Sequence, residues 1–441
     1  MNKSGFKWGI FTARLPLLHM RIEWPELLQG LVVSLSTGLA LVPLLTSAFG
    51  LSFEEAVTLA MLHMMIATSH VILFGDPFAV GWITPALPFV LAVVIGGYEM
   101  ATERFQMMTA LAFDFAVITL FLAVTKLGEK LNAIVPASLK AGIILGAGLS
   151  AFKRIFYDDI ARFKEMPVSF TFSIITCMVI LYLPAFARFK EKSKAAALIA
   201  SLGLLPAFIL AGVFGGLNGE IDFNIESGFL IPPFAALSYK ISPFVIGFPP
   251  LEFFIAALPL ALISYLILFG DMITGVALIR DNQPARPDDP VDIDLNRTHY
   301  AVGIRNVIMG LFAPFFPTQG VLWAGAQVLV INRWKEGRAK LESLIGGIAA
   351  FYYYGIPLFF LMLPVVTLLR PFMPIALMLT LLLTAVACSK LAIKTVNGLA
   401  EYVIMAVIAI LLAFFSLWVG LLTGVVLCTL HRAAIQLRVK R

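Results

Sequence analysis

Charge is scarce in this 441-residue sequence: 13% of residues are Asp, Glu, Lys or Arg, while 60% are hydrophobic. Soluble domains carry roughly twice that charged fraction. With a mean hydropathy of +0.94, the chain has no room for a large soluble domain and reads as a polytopic membrane protein. Cysteine is also scarce. Cys177, Cys388 and Cys428 lie in apolar segments without paired spacing, which argues against a disulfide framework or a metal site and leaves packing as their role. No Gly-x-x-x-x-Gly-Lys-Ser/Thr run appears, which excludes ATP drive within the chain. His-Glu-x-x-His and Gly-x-Ser-x-Gly are missing too, and the chain is not expected to be an enzyme. The net charge of +6 needs no nucleic-acid partner, because basic residues collect in cytoplasmic loops.

What is present is a succession of apolar runs near the length that crosses a bilayer, about 20 residues. They fall near 27–49, 54–71, 78–96, 106–125, 135–152, 167–186, 195–215, 251–275, 299–315, 319–332, 343–364, 372–390, 400–414 and 415–430. Basic stretches at 186–194, 333–340 and 431–441 place those loops and both termini in the cytoplasm. The acidic stretch 217–228 suits the outside, within a connector spanning 216–250. The mixed loop 153–165 orients nothing. Lys3, Lys7, Arg14 and Arg21 interleave with Phe6, Trp8, Phe11 and Leu15 without a small-residue cleavage site. Residues 1–26 therefore read as a cytoplasmic, interfacial amphipathic segment.

Two of the fourteen spans are short. FGDPFAVGWITPALP (74–88) and FAPFFPTQG (312–320) put Pro, Gly and Phe where a clean apolar run belongs. Paired interruptions in two halves of a chain point to a binding site. They suggest two repeats of seven spans, 27–215 and 251–430, inserted with opposite topology. A helix that begins in mid-membrane leaves its first N–H groups without partners. Those groups must line a polar cavity, and their dipoles favour an anion or a ligand carbonyl. Pro77 suits the first turn of such a helix, and Ala79 and Gly81 leave room for close approach.

FGDPFAVGWITPALPFVLA resembles the Gly-Ser-Ser-Phe-Ala-Phe-Ile-Ser-Pro stretch of the nucleobase–ascorbate transporters, the family of bacterial uracil permease. IVPASLKAGIILGAGL (134–149) is similar to that family's fifth-helix pattern of proline followed by glycines. YAVGIRNVIMGLFAPFFPTQG (300–320) resembles its approach to the tenth helix, and LFGDMITGVALIRD (268–281) falls at its eighth-helix site. The related sulfate permease family shares the fold. The resemblance spans most of the chain in order and implies a divergent member lacking a soluble C-terminal domain. The implied architecture is all-α, with fourteen transmembrane segments as a 7+7 inverted repeat. Its core domain takes the spans in 27–125 and 251–332. Its gate domain takes 135–215 and 343–430, built chiefly from helices five to seven and twelve to fourteen. Carried over by position, Phe78, Ala79, Gly320, Val321 and Leu322 offer ring and backbone contacts to substrate, and Asp271 falls at or near the polar eighth-helix position. The two glutamates that hold a nucleobase in the family align with about Ile267 and with Trp323 or Ala324, which argues against a nucleobase.

An ionisable residue within a span is costly to bury and suggests function. Asp271 is the strongest case, and a role in H+ or Na+ coupling fits, with Thr274 supplying an oxygen one turn away. Asp76 reads equally as an N-cap or as a ligand contact. Lys140 and Arg305 could attract an anion but are expected to snorkel, Asp114 to be hidden in the fourth helix, and His63 and His70 to be packed or interfacial. The sequence thus points to a secondary active transporter for a small polar or anionic solute, in a bacterial inner membrane. The resemblance implies an elevator-like shift of core past gate. Alternatives are a nucleobase permease, a passive anion channel and, more remotely, an intramembrane aspartyl protease, faintly suggested by Phe-Gly-Asp at Asp76 and Asp271. No cofactor is expected beyond a coupling H+ or Na+. A homodimer through the gate domains is allowed by analogy and leaves no mark in the sequence.

Overall fold

A computed structural model describes residues 5–201, 204–316, 318–354 and 359–439. Helices carry most of the described chain. By length and hydropathy, five helices among the described residues can cross a membrane unbroken: Phe53–Ile72, Ala101–Thr125, Leu251–Ala285, Leu363–Thr395 and Leu417–Leu437. Local chemistry explains where the other apolar runs break. The run 27–49 divides into Trp24–Gly38 and Val42–Phe49, the second opening on Pro43. The run 167–186 bends by 66° where Pro184 starts a second helix. The run 195–215 divides into Lys194–Ser201 and Leu205–Leu217. Residues 355–358 of the run 343–364 lie outside the described residues. Intact helices begin cleanly where the sequence supplies caps: the Ser52 hydroxyl accepts from the Glu55 N–H and the Glu55 carboxylate accepts from the Ser52 N–H, a reciprocal cap for Phe53–Ile72.

The amphipathic N-terminal segment takes a different form from the one its composition suggests. Phe6–Trp8 and Phe11–Ala13 pair as an antiparallel hairpin. It is fastened to the end of Phe53–Ile72 by the Arg14 N–H to the Ile72 carbonyl at 2.7 Å and by the Trp8 indole to the Leu73 carbonyl. Phe11 packs edge-on against Phe74 at 4.9 Å. Phe11 is buried by this contact, while Phe6 and Trp8 remain exposed.

The helices sort into two packing groups. Ala101–Thr125 lies along Leu251–Asn282 and Leu295–Phe312, while Ala137–Lys153 lies along Met373–Thr395 and Leu399–Phe414. The second contact uses the glycine run of 141–148. A Cβ on Gly142 would sit 2.7 Å from Ile408, and one on Gly148 would sit 3.1 Å from the Ala385 carbonyl oxygen. Small residues at such seams let helices approach closely where apolar burial gives no drive of its own. Leu344–Ala349 and the turn 350–354 pack against Trp24–Gly38, Phe53–Ile72 and Ala324–Trp334.

Candidate functional site

The two interruptions meet. Residues 79–83 and 318–323 are extended and run antiparallel, with Trp82 opposite Gln319. The Gly320 N–H donates to the Gly81 carbonyl (3.0 Å), the Trp323 N–H to the Ala79 carbonyl (2.6 Å), and the Ile83 N–H to the Thr318 carbonyl (3.4 Å). Glycine is required at the crossing: a Cβ on Gly320 would lie 2.6 Å from the Gly81 oxygen, and one on Gly81 would lie 2.8 Å from the Leu322 oxygen. Each strand then feeds a short helix. One runs through the turn Thr84–Ala86 into Leu87–Gly97, with Pro at its start; the other is Ala324–Trp334. The first half-helix therefore begins at Thr84 rather than at Pro77. Residues 79–83 stay out of a helix because 318–323 pair with their backbone, a long-range pairing with no local trace.

This geometry gives most of the expected contact residues a structural partner. Phe78 is fully buried, against the face of Gly275. The Ala79 N–H donates to Gln327 Oε1 at 2.5 Å, and Gln327 Nε2 reaches the Pro77 carbonyl. Gly320, Val321 and Leu322 are all buried. The exposed backbone of this strand comes later, at Ala324 and Gly325, with Trp323 half-buried beside them.

Asp76 is neither an N-cap nor an open ligand. It is buried completely and accepts from Arg297 Nε at 3.0 Å, with His70 Nε2 at 3.5 Å. Its Oδ2 and both His70 ring nitrogens have no hydrogen-bond partner among the described residues. Arg305, expected to snorkel, is buried completely instead. Its guanidinium donates to the carbonyls of Ala301 and Gly320 and to Gln319 Oε1. Asn306 brackets Gln319, accepting from its N–H and donating to its carbonyl. Gln319 Nε2 reaches the His63 carbonyl at 3.1 Å, and His63 stacks on Phe315 at 4.2 Å. His63 and His70 are packed, as expected. Asp114 is half-buried, with one carboxylate oxygen lacking a partner.

Asp271 sits elsewhere, on the half-exposed face of Leu251–Asn282. Gly270, Ile273, Thr274 and Ala277 on that face are exposed. Asp271 makes no hydrogen bond or ion pair among the described residues. It lies within electrostatic reach of Cys388 on Met373–Thr395. The Thr274 hydroxyl donates to the Gly270 carbonyl. The far end of the second half-helix is anchored by a polar loop: Arg286 donates to the carbonyls of Trp334 and Leu341, and Asp289 accepts from the Trp334 indole. The hydrogen bond from Arg286 holds the exposed Asp288 carboxyl below its ordinary pKa. Between the helix groups lies a cavity of about 400 Å³ lined by Pro88, Phe89, Ser150, Lys153, Pro259 and Trp418, among others.

Sequence comparison finds that a model described as the Permease family matches residues 28–321. No curated protein matches significantly. Among solved structures, the transmembrane domain of BicA, a cyanobacterium bicarbonate transporter, superposes with a TM-score of 0.51 at 14% identity, covering 92% of this chain and 99% of that one. SLC26A9 gives 0.53 at 16% identity, with 93% and 65% covered. The murine Slc26a9 anion transporter in its inward-facing state gives 0.52 at 15%, with 95% and 70% covered. Identities this low establish a common fold.

Proposed function

The chain belongs to the nucleobase–ascorbate transporter and sulfate permease superfamily, and from that membership we propose that it is a secondary active transporter of a small polar or anionic solute, working by elevator-type alternating access. The observation that carries this reading is the crossing of two half-helices at Gly81 and Gly320. The second half-helix opens at Ala324 and Gly325, both exposed, and the first N–H groups of a helix have no partner within the helix itself. A solute arriving at Trp323–Gly325 and Thr84 would meet both positive helix ends.

Alternating access needs two bodies that move past each other around the site. The two packing groups suit those roles, the first as core and the second as gate, in a 7+7 inverted arrangement. Asp271 is the proposed coupling group. It lies on the core side of the seam facing the gate, without an ion-pair partner among the described residues, so it is free to take up H+ or Na+. The nucleobase reading is weaker, since Ile267 and Trp323 or Ala324 stand where that family's glutamates would. The protease reading loses its second acid, because Asp76 is committed to Arg297.

Thermal stabilisation of the purified protein by a panel of nucleobases, inorganic anions and small carboxylates tests the proposal, since a ligand that binds only the folded state raises its melting temperature. At least one polar solute should stabilise saturably. If none does at millimolar concentration, the reading is wrong.

A further inference from the structure

We infer that Arg305 sets the charge preference of the transport site, so that the site takes a small anion and not a neutral solute. The inference rests on the transporter reading and narrows its substrate class.

A guanidinium is ionised at every physiological pH, and removing it from water costs several kcal/mol unless a counter-charge answers it. Arg305 is fully buried, and its hydrogen-bond partners are all neutral: the Ala301 and Gly320 carbonyls and the Gln319 amide. Among the described residues Asp76 is the one carboxylate within its electrostatic reach, and Asp76 already bonds Arg297. The buried set Asp76, Arg297 and Arg305 thus keeps one positive charge in excess. Asp292 also touches Arg297, but its side chain is 83% exposed, and the charge of Arg14 beside Arg297 is answered by Asp289 and Asp292. His63 and His70 lie near Arg305 and would add positive charge if protonated.

The excess charge sits behind the strand that leads into the second half-helix. Arg305 Nη2 holds the Gly320 carbonyl at 2.7 Å, and the exposed start of that helix, Ala324 and Gly325, follows four residues later. Arg305 does not itself reach that surface, so it acts through the field. Two unit charges about 10 Å apart in a medium of effective dielectric near 20 interact strongly enough to change an affinity roughly tenfold. An anion at the half-helix starts would balance the buried guanidinium and face two helix dipoles at once. A neutral solute would leave the charge unanswered.

Gln319→Glu is the test. It places a carboxylate where Oε1 now accepts from Arg305 Nη1 at 3.0 Å, cancelling the excess charge at nearly constant shape. Purified protein in a gluconate buffer is titrated with nitrate, bicarbonate, formate and uracil, and binding is read as thermal stabilisation. The wild type should respond to an anion and not to uracil. Gln319→Glu should bind that anion at least tenfold more weakly than the wild type. If Gln319→Glu does not fold, Asn306→Asp brings a carboxylate to the same cluster, with the same loss expected. Equal anion affinity in wild type and in the folded acidic variant, or uracil as the preferred ligand, overturns the inference while the transporter reading stands. If nothing on the panel binds the wild type, it is the transporter reading that fails.

Discussion

Gly320→Ala should disable the protein by separating its two central strands. The added Cβ would lie 2.6 Å from the Gly81 carbonyl oxygen and 3.3 Å from the Ile83 nitrogen, and both are backbone atoms that no rotamer change can move aside. Relief requires the strands to part, which sacrifices the Gly320-to-Gly81 bond and the weaker Ile83-to-Thr318 bond. Overpacking of this kind costs about 1–3 kcal/mol, and each hydrogen bond lost adds about 0.5–1.5 kcal/mol. The expected total is about 2–6 kcal/mol, concentrated where the two half-helices are held in register. Gly270→Ala is the matched control, since its Cβ would meet nothing within 4 Å. Thermal unfolding in detergent, read beside solute binding, should show a large loss for Gly320→Ala and almost none for Gly270→Ala. Wild-type stability and binding in Gly320→Ala would refute the crossing as described.

Three further outcomes follow from the same geometry. Asp271→Asn should abolish uptake driven by an H+ or Na+ gradient while leaving solute binding measurable in detergent; undiminished gradient-driven uptake would remove Asp271 from coupling. Gln327→Leu should strand the Ala79 N–H and the Pro77 carbonyl, two buried backbone groups, and lower stability by about 2–4 kcal/mol, as measured by thermal unfolding. Glu220, in the connector, is partly desolvated, which works to raise its pKa. The Ser169 and Val168 N–H groups and the Ser169 and Asn218 side chains outweigh this and hold it below its ordinary value. Its contribution is therefore complete above the ordinary glutamate pKa and lost as pH falls through the lower folded value. Glu220→Ala should flatten that acid limb of a melting-temperature profile and cost about 1 kcal/mol at neutral pH.

Much of the architecture was legible because membrane helices declare themselves through composition. The apolar runs fell on helices, and the two stretches rich in Pro, Gly and Phe were where helices fail. The register of the break was not legible. Pro77, Pro85 and Pro88 all stand in one stretch, and only the pairing of 79–83 with 318–323, more than 230 residues away, decides that Thr84 starts the helix. Asp76 was readable as important, but its partner Arg297 lies 221 positions on, beyond any local pattern. Arg305 misled because a lone arginine in an apolar helix usually reaches for the interface. Its neighbour Asn306, together with Gln319 and Gln327 in the tenth segment, was the available signal. Polar amides among apolar residues at both ends of one turn indicate an internal hydrogen-bond network.

The most direct measurement is uptake into proteoliposomes holding the purified protein, using the panel ligand that best stabilises the wild type in labelled form. With an imposed inward H+ or Na+ gradient, the solute should accumulate above its external concentration, and Asp271→Asn should remove the accumulation. Flux that stops at equal concentrations, indifferent to both gradients and to Asp271, would contradict a coupled carrier and leave a passive pathway in its place.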